Sequence, residues 1–199
     1  MINKKKLREN ILNQPPINQN TEIDKKKTLA EKWFVNLRDQ ICNNFAKIEC
    51  NFKINNKFEK ISEVKSPIFK QKKWDRDGGG GGVISIMKGD VFEKVGVNIS
   101  TVYGKFSDKF KSQIPGAEKT GDFWASGISV VAHMNNPFVP AAHMNTRFLV
   151  TGLGENRKFW FGGGCDLTPM LPDKKSAIFF HKELKSMCDK YDNEYYLSL

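Results

Sequence analysis

The chain has 199 residues, which is enough for one domain with or without a tail. Apolar residues make up 39% of it and aromatic residues 12%, so a hydrophobic core can form and disorder of the whole chain is excluded. The formal net charge is +10, and residues 1–80 hold 18 of the 32 basic and 10 of the 22 acidic residues, so the positive excess belongs mainly to the N-terminal part.

Signals for membrane insertion or secretion are not recognisable in this sequence. It contains no run of about 18 apolar residues, as a transmembrane helix would need. No apolar stretch follows the basic residues near the N-terminus, as a secretory signal would require. The four cysteines lack CxxC spacing, so a zinc knuckle is not indicated and reduced thiols are expected. We therefore expect a cytoplasmic protein.

The N-terminal region divides into a basic extension and a helix. Residues 1–27 are rich in Lys, Asn and Gln and contain Pro15-Pro16, a composition typical of a flexible extension. A helix is predicted to begin at Thr28, because Thr28 and Glu31 have the spacing of a capping box. Its apolar stripe comprises Ala30, Trp33, Phe34, Leu37, Ile41, Phe45 and Ile48. The extension has no interleaved aromatic residues, so nucleic-acid binding is not expected.

Short apolar runs then predict strands at residues 83–87, 91–102, 128–132, 148–151 and 158–161. In the second of these strands Val95, Val97 and Ile99 are expected to share one face, and Gly96, Asn98 and Ser100 the other. The glycine run Gly78–Gly82 lacks the Lys-Ser/Thr of a phosphate loop and precedes a strand, which argues against phosphate binding. A last helix is predicted from about Lys174 to Tyr191, with Ala177, His181, Leu184, Cys188 and Tyr191 on its buried stripe. The order of elements predicts an α+β fold with a largely antiparallel sheet flanked by helices, while residues 51–77 stay unassigned.

Three histidines are candidates for chemistry. His133 and His143 bracket the segment HMNNPFVPAAH, whose two prolines predict an extended loop. Three histidines can bind a metal ion, but hydrogen-bonded structural or substrate-contacting roles are favoured, since the spacing fits no standard metal template. His181 lies on the apolar stripe of its predicted helix and is expected to point inward, either as a core residue or towards a cleft.

An arginine and an aspartate could bind a ligand from two neighbouring segments. Arg147 follows Asn145 and Thr146 and could pair with a ligand carboxylate, or could form a surface ion pair. Asp166 follows Gly162-Gly163-Gly164-Cys165, a stretch that lets a flat molecule approach the backbone. Its carboxylate could hold a cationic or N–H-bearing ligand, or could cap the turn that precedes Pro169. The cluster suits a flat, carboxylated ligand.

This cluster resembles the oxygen-dependent coproporphyrinogen-III oxidase family. The matching motifs are GGGGGVISIMKGDVFEKVGVNISTVYG (78–104), FWASGISVVAHMNNPFVPAAHMNTRF (123–148), FWFGGGCDLTP (159–169) and FFHKELKSMCDKYD (179–192). The segment KWFVNLRDQIC (32–42) is similar to the first helix of the family. The resemblance extends from about residue 28 to the end and implies that residues 28–199 belong to a domain of this kind.

The resemblance implies an activity and an assembly. Members of the family oxidatively decarboxylate two propionates of coproporphyrinogen III to give protoporphyrinogen IX, in haem and porphyrin biosynthesis. Molecular oxygen is the co-substrate, no organic cofactor is required, and a divalent metal has been argued for in bacterial members. The family fold is a broad antiparallel sheet flanked by helices, and the enzyme is a homodimer.

The resemblance also implies roles for individual residues. Asp166 is similar to the carboxylate that meets the pyrrole N–H groups, and His143 to the histidine that donates a proton. Arg147 matches the arginine that binds a substrate carboxylate. Three more residues match further substrate contacts of the family: Ser129, Asn145 and Thr146. The histidines that match proposed metal ligands of the family are His133, His143 and His181.

Two departures from the family pattern affect these expectations. Asn135 stands where many members have a second histidine. The family also continues beyond the last helix into a further histidine, more strands and a dimer-forming part, so this chain is expected to be truncated and its fold incomplete. Two alternatives to an active enzyme are therefore an inactive gene remnant and a fragment that binds tetrapyrroles without turnover. A homodimer is correspondingly less expected here than in the family.

Overall fold

The computed structural model describes residues 4–12, 20–56 and 67–197. The elements in chain order are helices α1 (Lys4–Leu12) and α2 (Asn20–Asn56), strands β1 (Lys70–Asp75), β2 (Gly80–Met87) and β3 (Phe92–Lys105), helix α3 (Asp108–Lys111), strands β4 (Asp122–Met134) and β5 (Ala141–Thr151), a 3₁₀ turn (Gly154–Asn156), strand β6 (Lys158–Thr168), and helices α4 (Lys174–Cys188) and α5 (Asn193–Leu197). The predicted α+β class is confirmed.

The strands form an antiparallel meander in which each strand pairs with its neighbours along the chain, in the order β1-β2-β3-β4-β5-β6. Apart from residues 106–121, which contain α3, the connections between strands are short, and antiparallel neighbours need only a few linking residues. The predicted strands are all present but longer. In β2 and β6 the added residues include glycine stretches predicted as boundaries. Gly80 to Gly82 lie within β2, and Gly162 to Gly164 lie within β6.

The core lies between α2 and one face of the sheet. Val95 and Val97 of β3 are fully buried, as the two-residue alternation predicts, and Phe148 of β5 is 1% exposed. Phe34 of α2 packs against these strands at 2% exposure. The predicted apolar stripe of α2 supplies this contact, although Trp33 at one margin of the stripe is 54% exposed. Burial of such side chains contributes about 1.5–3 kcal/mol each.

The predicted helix start at Thr28 is wrong, because α2 begins at Asn20. The Thr28 hydroxyl donates to the Asp24 carbonyl oxygen at 3.0 Å, a bond within the helix and not a cap. Ile23 explains the earlier start: it lies on the same side as Ala30 and Phe34 and is 1% exposed, so burial stabilises the additional turns.

The predicted extension at residues 1–27 contains described helical segments. α1 places Ile11 at 6% exposure, and Lys158 Nζ of β6 donates to the Leu12 carbonyl oxygen at 3.0 Å. The part of the extension with Pro15-Pro16 lies outside the described residues, as do residues 57–66 of the unassigned stretch. The division into an extension and a domain from residue 28 stays a prediction.

The predicted last helix is present as α4, but its predicted buried stripe is wrong. Cys188 is buried, whereas His181 is exposed and Tyr191, which lies beyond the helix end, is 82% exposed. The stripe is apolar in sequence, but among the described elements α5 makes the most extensive contact with α4, and most of the stripe is left exposed. None of the described helices has both the length and the hydropathy that crossing a bilayer requires.

Candidate functional site

The two faces of the sheet differ in chemistry. One face carries the buried apolar side chains that pack on α2. The other, which we call the polar face, carries the side chains Asn98, Ser129, His143, Asn145, Arg147 and Asp166. Successive side chains of a strand point to opposite faces, and antiparallel partners share a face, so the register alone brings these residues together. Most of the predicted site residues therefore lie on one surface.

Thr146 is the exception among the predicted substrate contacts. It pairs with Ile128 on one side and Gly163 on the other, and Ile128 belongs to the core against α2. Its side chain therefore lies on the helix-covered face, whereas its neighbours Asn145 and Arg147 lie on the polar face. A contact from the Thr146 side chain to a ligand on the polar face is not compatible with this geometry.

Asp166 lies within β6 directly opposite His143 of β5. The His143 Nδ1–H donates to Asp166 Oδ1 at 2.7 Å, and the Thr168 hydroxyl donates to the same oxygen at 3.0 Å. The hydrogen bond from His143 holds the pKa of the Asp166 carboxyl below its usual range, and the bond from Thr168 acts in the same direction. The alternative of a turn cap is wrong for Asp166, because β6 continues to Thr168.

His133 and His143 form a direct pair. The predicted extended loop covers only residues 135–140, and the two histidines lie in β4 and β5 on either side of it. Their Nε2 atoms are 3.0 Å apart. A carboxylate only accepts, so His143 carries its proton on Nδ1, and in the neutral ring its Nε2 accepts from the Nε2–H of His133. Asp166, His143 and His133 are thus joined in one hydrogen-bonded series.

Arg147 is exposed on the polar face, between Gly127 of β4 and Gly162 of β6. Its Nη2 donates to Asn145 Oδ1 at 3.2 Å. Within the described part of the chain no carboxylate pairs with this guanidinium, so the alternative of a surface ion pair is not observed there. The remaining N–H groups of Arg147 can bind a carboxylate in the bidentate manner that guanidinium favours.

Two glycines of β6 leave the surface between Asp166 and Arg147 flat. A Cβ added to Gly162 or Gly164 would meet no atom within 4 Å. At Gly163, on the other face, a Cβ would lie 2.3 Å from the Asn145 carbonyl oxygen. The alternation therefore distinguishes Gly163, which packs against the backbone of β5, from Gly162 and Gly164. These two glycines leave the polar face without projecting side chains, as the approach of a flat molecule requires.

A cavity of about 270 Å³ lies on this part of the sheet and is lined by Ser129, His143, Asn145, Gly164 and Asp166, among others. A larger cavity of about 350 Å³ lies on the helix-covered face, between α2 and strands β1 to β3. The larger cavity contains none of the predicted site residues, so we assign the site to the smaller one on the grounds of its chemistry.

The three histidines that match proposed metal ligands of the family are not brought together. His181 lies on α4, where its Nδ1 and the Tyr196 hydroxyl are hydrogen-bonded at 3.1 Å. Its predicted inward orientation is wrong, since α4 leaves it exposed. No group of three or more His, Cys, Asp or Glu side chains in the described ranges could hold a metal ion. The described residues therefore do not fit a metal centre built from these three histidines.

Asn135, which departs from the family pattern, has a structural role. Its Nδ2 donates to the carbonyl oxygens of Gly89 and Asp90 at 2.9 Å, and its backbone N–H donates to Val91. The β4–β5 connection is thereby attached to the β2–β3 turn. The side-chain amide of Asn135 donates two of the three hydrogen bonds of this attachment.

Sequence reasoning did not assign roles to Thr168 or Asn98. The sequence predicts a turn before Pro169 that includes Thr168, whereas Thr168 lies at the end of β6, two residues after Asp166 and on the same face of the strand. Asn98 was recognised only as a polar position within an apolar strand. A polar residue at such a position, opposite another polar residue on the next strand, was the available signal.

Comparison with known proteins supports the resemblance. Residues 30–199 match the family model described as coproporphyrinogen III oxidase. The oxygen-dependent coproporphyrinogen-III oxidase of Rickettsia rickettsii (strain Sheila Smith) is 51% identical over 170 residues, which cover 85% of this chain and 57% of the relative. That of Rickettsia bellii (strain OSU 85-389) is 51% identical over 172 residues, covering 86% and 58%. The chain thus spans less than three-fifths of the length of these relatives. It belongs to the coproporphyrinogen III oxidase family.

Proposed function

We propose that this chain carries substrate-binding and catalytic groups for the oxygen-dependent oxidative decarboxylation of coproporphyrinogen III to protoporphyrinogen IX. In each of the two conversions a propionate loses carbon dioxide, and two electrons and a proton leave the carbon attached to the ring. Molecular oxygen receives the two electrons together with this proton and a second proton from the protein or the solvent, and leaves as hydrogen peroxide, while a vinyl group remains. The observation that carries the proposal is the placement of Arg147 and Asp166 on one face of the sheet, on either side of two glycines without side chains.

Arg147 binds a propionate carboxylate in this proposal. It lies four residues along β5 from His143, the partner of Asp166, and four residues of a strand span about 13 Å. A carboxylate at the periphery of a ring and an N–H group at its centre can therefore be held at the same time. Asn145 and Ser129, which pair with each other between these two positions, supply further polar contacts. The Thr146 side chain has no part in binding.

Asp166 acts on the centre of the macrocycle. Both hydrogen bonds from the protein reach Oδ1, so Oδ2 can accept from pyrrole N–H groups. The lowered pKa of its carboxyl favours the ionised form near neutral pH. A fixed negative charge stabilises positive charge as electrons leave an electron-rich pyrrole, which lowers the energy of the transition state.

His143 serves as the proton donor beside this carboxylate. Asp166 holds its Nδ1–H and thereby fixes the orientation of the ring, while Nε2 faces His133 at 3.0 Å. In the tautomer described above Nε2 has no proton of its own, so a proton that His143 gives from Nε2 is one that it receives from the Nε2–H of His133. No step of this scheme uses a metal ion, and dimerisation of the chain stays a prediction that sedimentation velocity can test.

Aerobic turnover tests the proposal directly. The purified chain is mixed with coproporphyrinogen III under air, and protoporphyrin fluorescence is measured after oxidation of the product. We expect product under air, none without oxygen, and a loss of at least about a hundredfold for Asp166→Ala, as for removal of a transition-state charge. The absence of product from a folded chain that binds coproporphyrin III would support the second candidate, a tetrapyrrole-binding fragment. If the folded chain neither forms product nor binds coproporphyrin III, both candidates are contradicted.

The second candidate, a tetrapyrrole-binding fragment, rests on the same binding groups. The chain spans 57% of the length of the Rickettsia rickettsii relative, while the ligand-binding groups described above all lie within it. Binding and turnover therefore need separate measurements. An unfolded circular dichroism spectrum would instead support an inactive gene remnant.

A further inference from the structure

We propose that Asn98 is a further substrate-binding residue, which donates a hydrogen bond from Nδ2 to a carboxylate oxygen of the ligand. This inference rests on the proposed function and extends it to β3, beyond the cavity described above. The lining of that cavity does not include Asn98, and the motif at residues 78–104, which contains Asn98, gives it no role.

The first argument is the orientation of the Asn98 amide. The backbone N–H of Ser85 in β2 donates to Asn98 Oδ1 at 3.3 Å. A backbone N–H can only donate, so the atom that faces Ser85 must be the oxygen. The amide group is therefore fixed with its Nδ2 directed away from β2. None of the described residues accepts a hydrogen bond from Nδ2.

The second argument is the surface that Nδ2 faces. Nδ2 lies 3.5 Å from the position that a Cβ on Gly96 would occupy, so it extends along β3 over a residue without a side chain. Gly96 and Asn98 lie on the polar face, because the intervening Val97 is fully buried in the core. Asn98 itself is half-buried, which restricts its rotamers without closing it off from a ligand.

The third argument is register. Asn98 pairs with Ser129, and Ser129 pairs with Asn145, so three polar side chains cross β3, β4 and β5 in one row. Neighbouring strands are about 4.8 Å apart, which places Asn98 about 10 Å from β5. Ser129 lines the cavity that holds Asp166, and Asn98 continues its polar lining by one strand.

The chemistry of the ligand follows from these positions. A ligand with one carboxylate on Arg147 and its ring over Gly164 must carry another acceptor at its periphery to reach Asn98. Coproporphyrinogen III has four propionates, so a second carboxylate is the acceptor that fits. An amide donor beside Ser129 binds such a group without adding the charge of another guanidinium. Asn98 would therefore help to select tetrapyrroles that carry several carboxylates.

The test replaces the donor and keeps the acceptor. In Asn98→Asp, Oδ1 can still accept from Ser85, whereas a carboxylate oxygen replaces Nδ2 and repels a ligand carboxylate. Asn43→Asp is the matched control, since it makes the same charge change at an exposed position of α2. The probe is coproporphyrin III, the stable oxidised tetracarboxylate, and its Kd is measured by fluorescence titration. We expect Kd to rise about tenfold or more for Asn98→Asp and less than about twofold for Asn43→Asp.

Each outcome separates this inference from the proposed function. Equal affinities for the two variants, together with lost affinity for Arg147→Ala, would overturn the role of Asn98 and leave the proposed site intact. Failure of the unchanged chain to bind coproporphyrin III would overturn both. If Asn98→Asp loses its native circular dichroism spectrum, the Asn98 side-chain NH₂ resonances of the unchanged chain decide. We expect them to shift on addition of coproporphyrin III, and constant resonances would refute the inference.

Discussion

Arg147 and Thr146 are adjacent in the chain but lie on opposite faces of the sheet. Arg147 shares the polar face with Asn145 and donates to its Oδ1 at 3.2 Å. Thr146 lies with Ile128 on the face that α2 covers. A strand places neighbours in different environments, so a motif of three consecutive residues cannot present three side chains to one ligand.

This relationship predicts different outcomes for two neighbouring substitutions. Arg147→Ala should weaken coproporphyrin III binding by about 10- to 100-fold, because a charge-assisted hydrogen bond contributes about 1.5–3 kcal/mol. Thr146→Val keeps the side-chain volume and should change Kd less than about twofold. Fluorescence titration of both variants checks the prediction. A larger effect for Thr146→Val, at unchanged stability, would contradict the assignment of faces.

Consecutive glycines of β6 should also respond differently. Gly164→Ala meets no atom within 4 Å and should leave the urea-unfolding free energy within about 0.5 kcal/mol, while a methyl group on the polar face weakens coproporphyrin III binding. Gly163→Ala places Cβ 2.3 Å from the Asn145 carbonyl oxygen and should destabilise the fold by about 1–3 kcal/mol. Urea titration followed by circular dichroism measures stability. Destabilisation by Gly164→Ala together with tolerance of Gly163→Ala would refute the assigned register.

Strand alternation made much of the fold predictable. The alternation of Val95 and Val97 with polar residues identified the buried face of β3 directly. The glycine stretches were less informative, because glycine without a side chain carries no face preference, and Gly162–Gly164 extended β6 where a boundary was expected. The start of α2 was missed because the burial of Ile23 against the sheet outweighed the local capping signal at Thr28.

Most residues of the candidate site could be predicted from the sequence, but the contacts between them could not. The pairing of His143 with Asp166 requires the register of β5 and β6, and the His133 contact requires that the chain reverse within residues 135–140. The prolines in that segment correctly excluded a helix but could not specify a hairpin. The exposure of His181 depends on which elements pack against α4, and an apolar stripe within one helix does not carry that information.

The buried thiol of Cys42 should make both its own reactivity and the stability of the fold depend on pH. Burial raises the pKa of its thiol to about 11, against the opposing influence of the nearby Arg38. At pH 8 we expect iodoacetamide to alkylate Cys42 in α2 far more slowly than the exposed Cys165, because the thiolate is the nucleophile and access is restricted. Peptide mass spectrometry after timed labelling measures both rates, and labelling in urea should remove the difference. Equal rates in the native protein would refute the burial of Cys42.

The same raised pKa determines the sign of a stability effect. The folded state holds the Cys42 proton to higher pH than the unfolded chain, whose thiol has the ordinary value of 9.0. The contribution of this group is therefore complete below pH 9 and declines as pH rises towards about 11. Cys42→Ala, compared with the unchanged chain over this range, should show a shallower decline in the free energy of unfolding. If the free energy of unfolding declines in parallel for the two proteins, groups other than Cys42 cause the decline.

Glu49 connects α2 to the β2–β3 turn and is fully buried. Its Oε2 accepts from the backbone N–H of Asp90, and its Oε1 accepts from those of Val91 and Phe92, each at 2.9 Å. A Cβ on Gly89 would lie 2.3 Å from the same carboxylate. The three hydrogen bonds prevent the carboxylate from moving aside, so Gly89 and Glu49 should be energetically coupled.

A double-mutant cycle measures that coupling. Glu49→Ala should cost about 3–5 kcal/mol, since it leaves backbone donors without their acceptor, and Gly89→Ala should cost about 1–3 kcal/mol through the clash. In the Glu49→Ala background the clash is absent, so adding Gly89→Ala should cost less than about 1 kcal/mol. Urea unfolding of the four proteins gives the coupling energy. Additive costs would mean that the carboxylate does not occupy the space beside Gly89, and the attachment of the turn to α2 would then need another explanation.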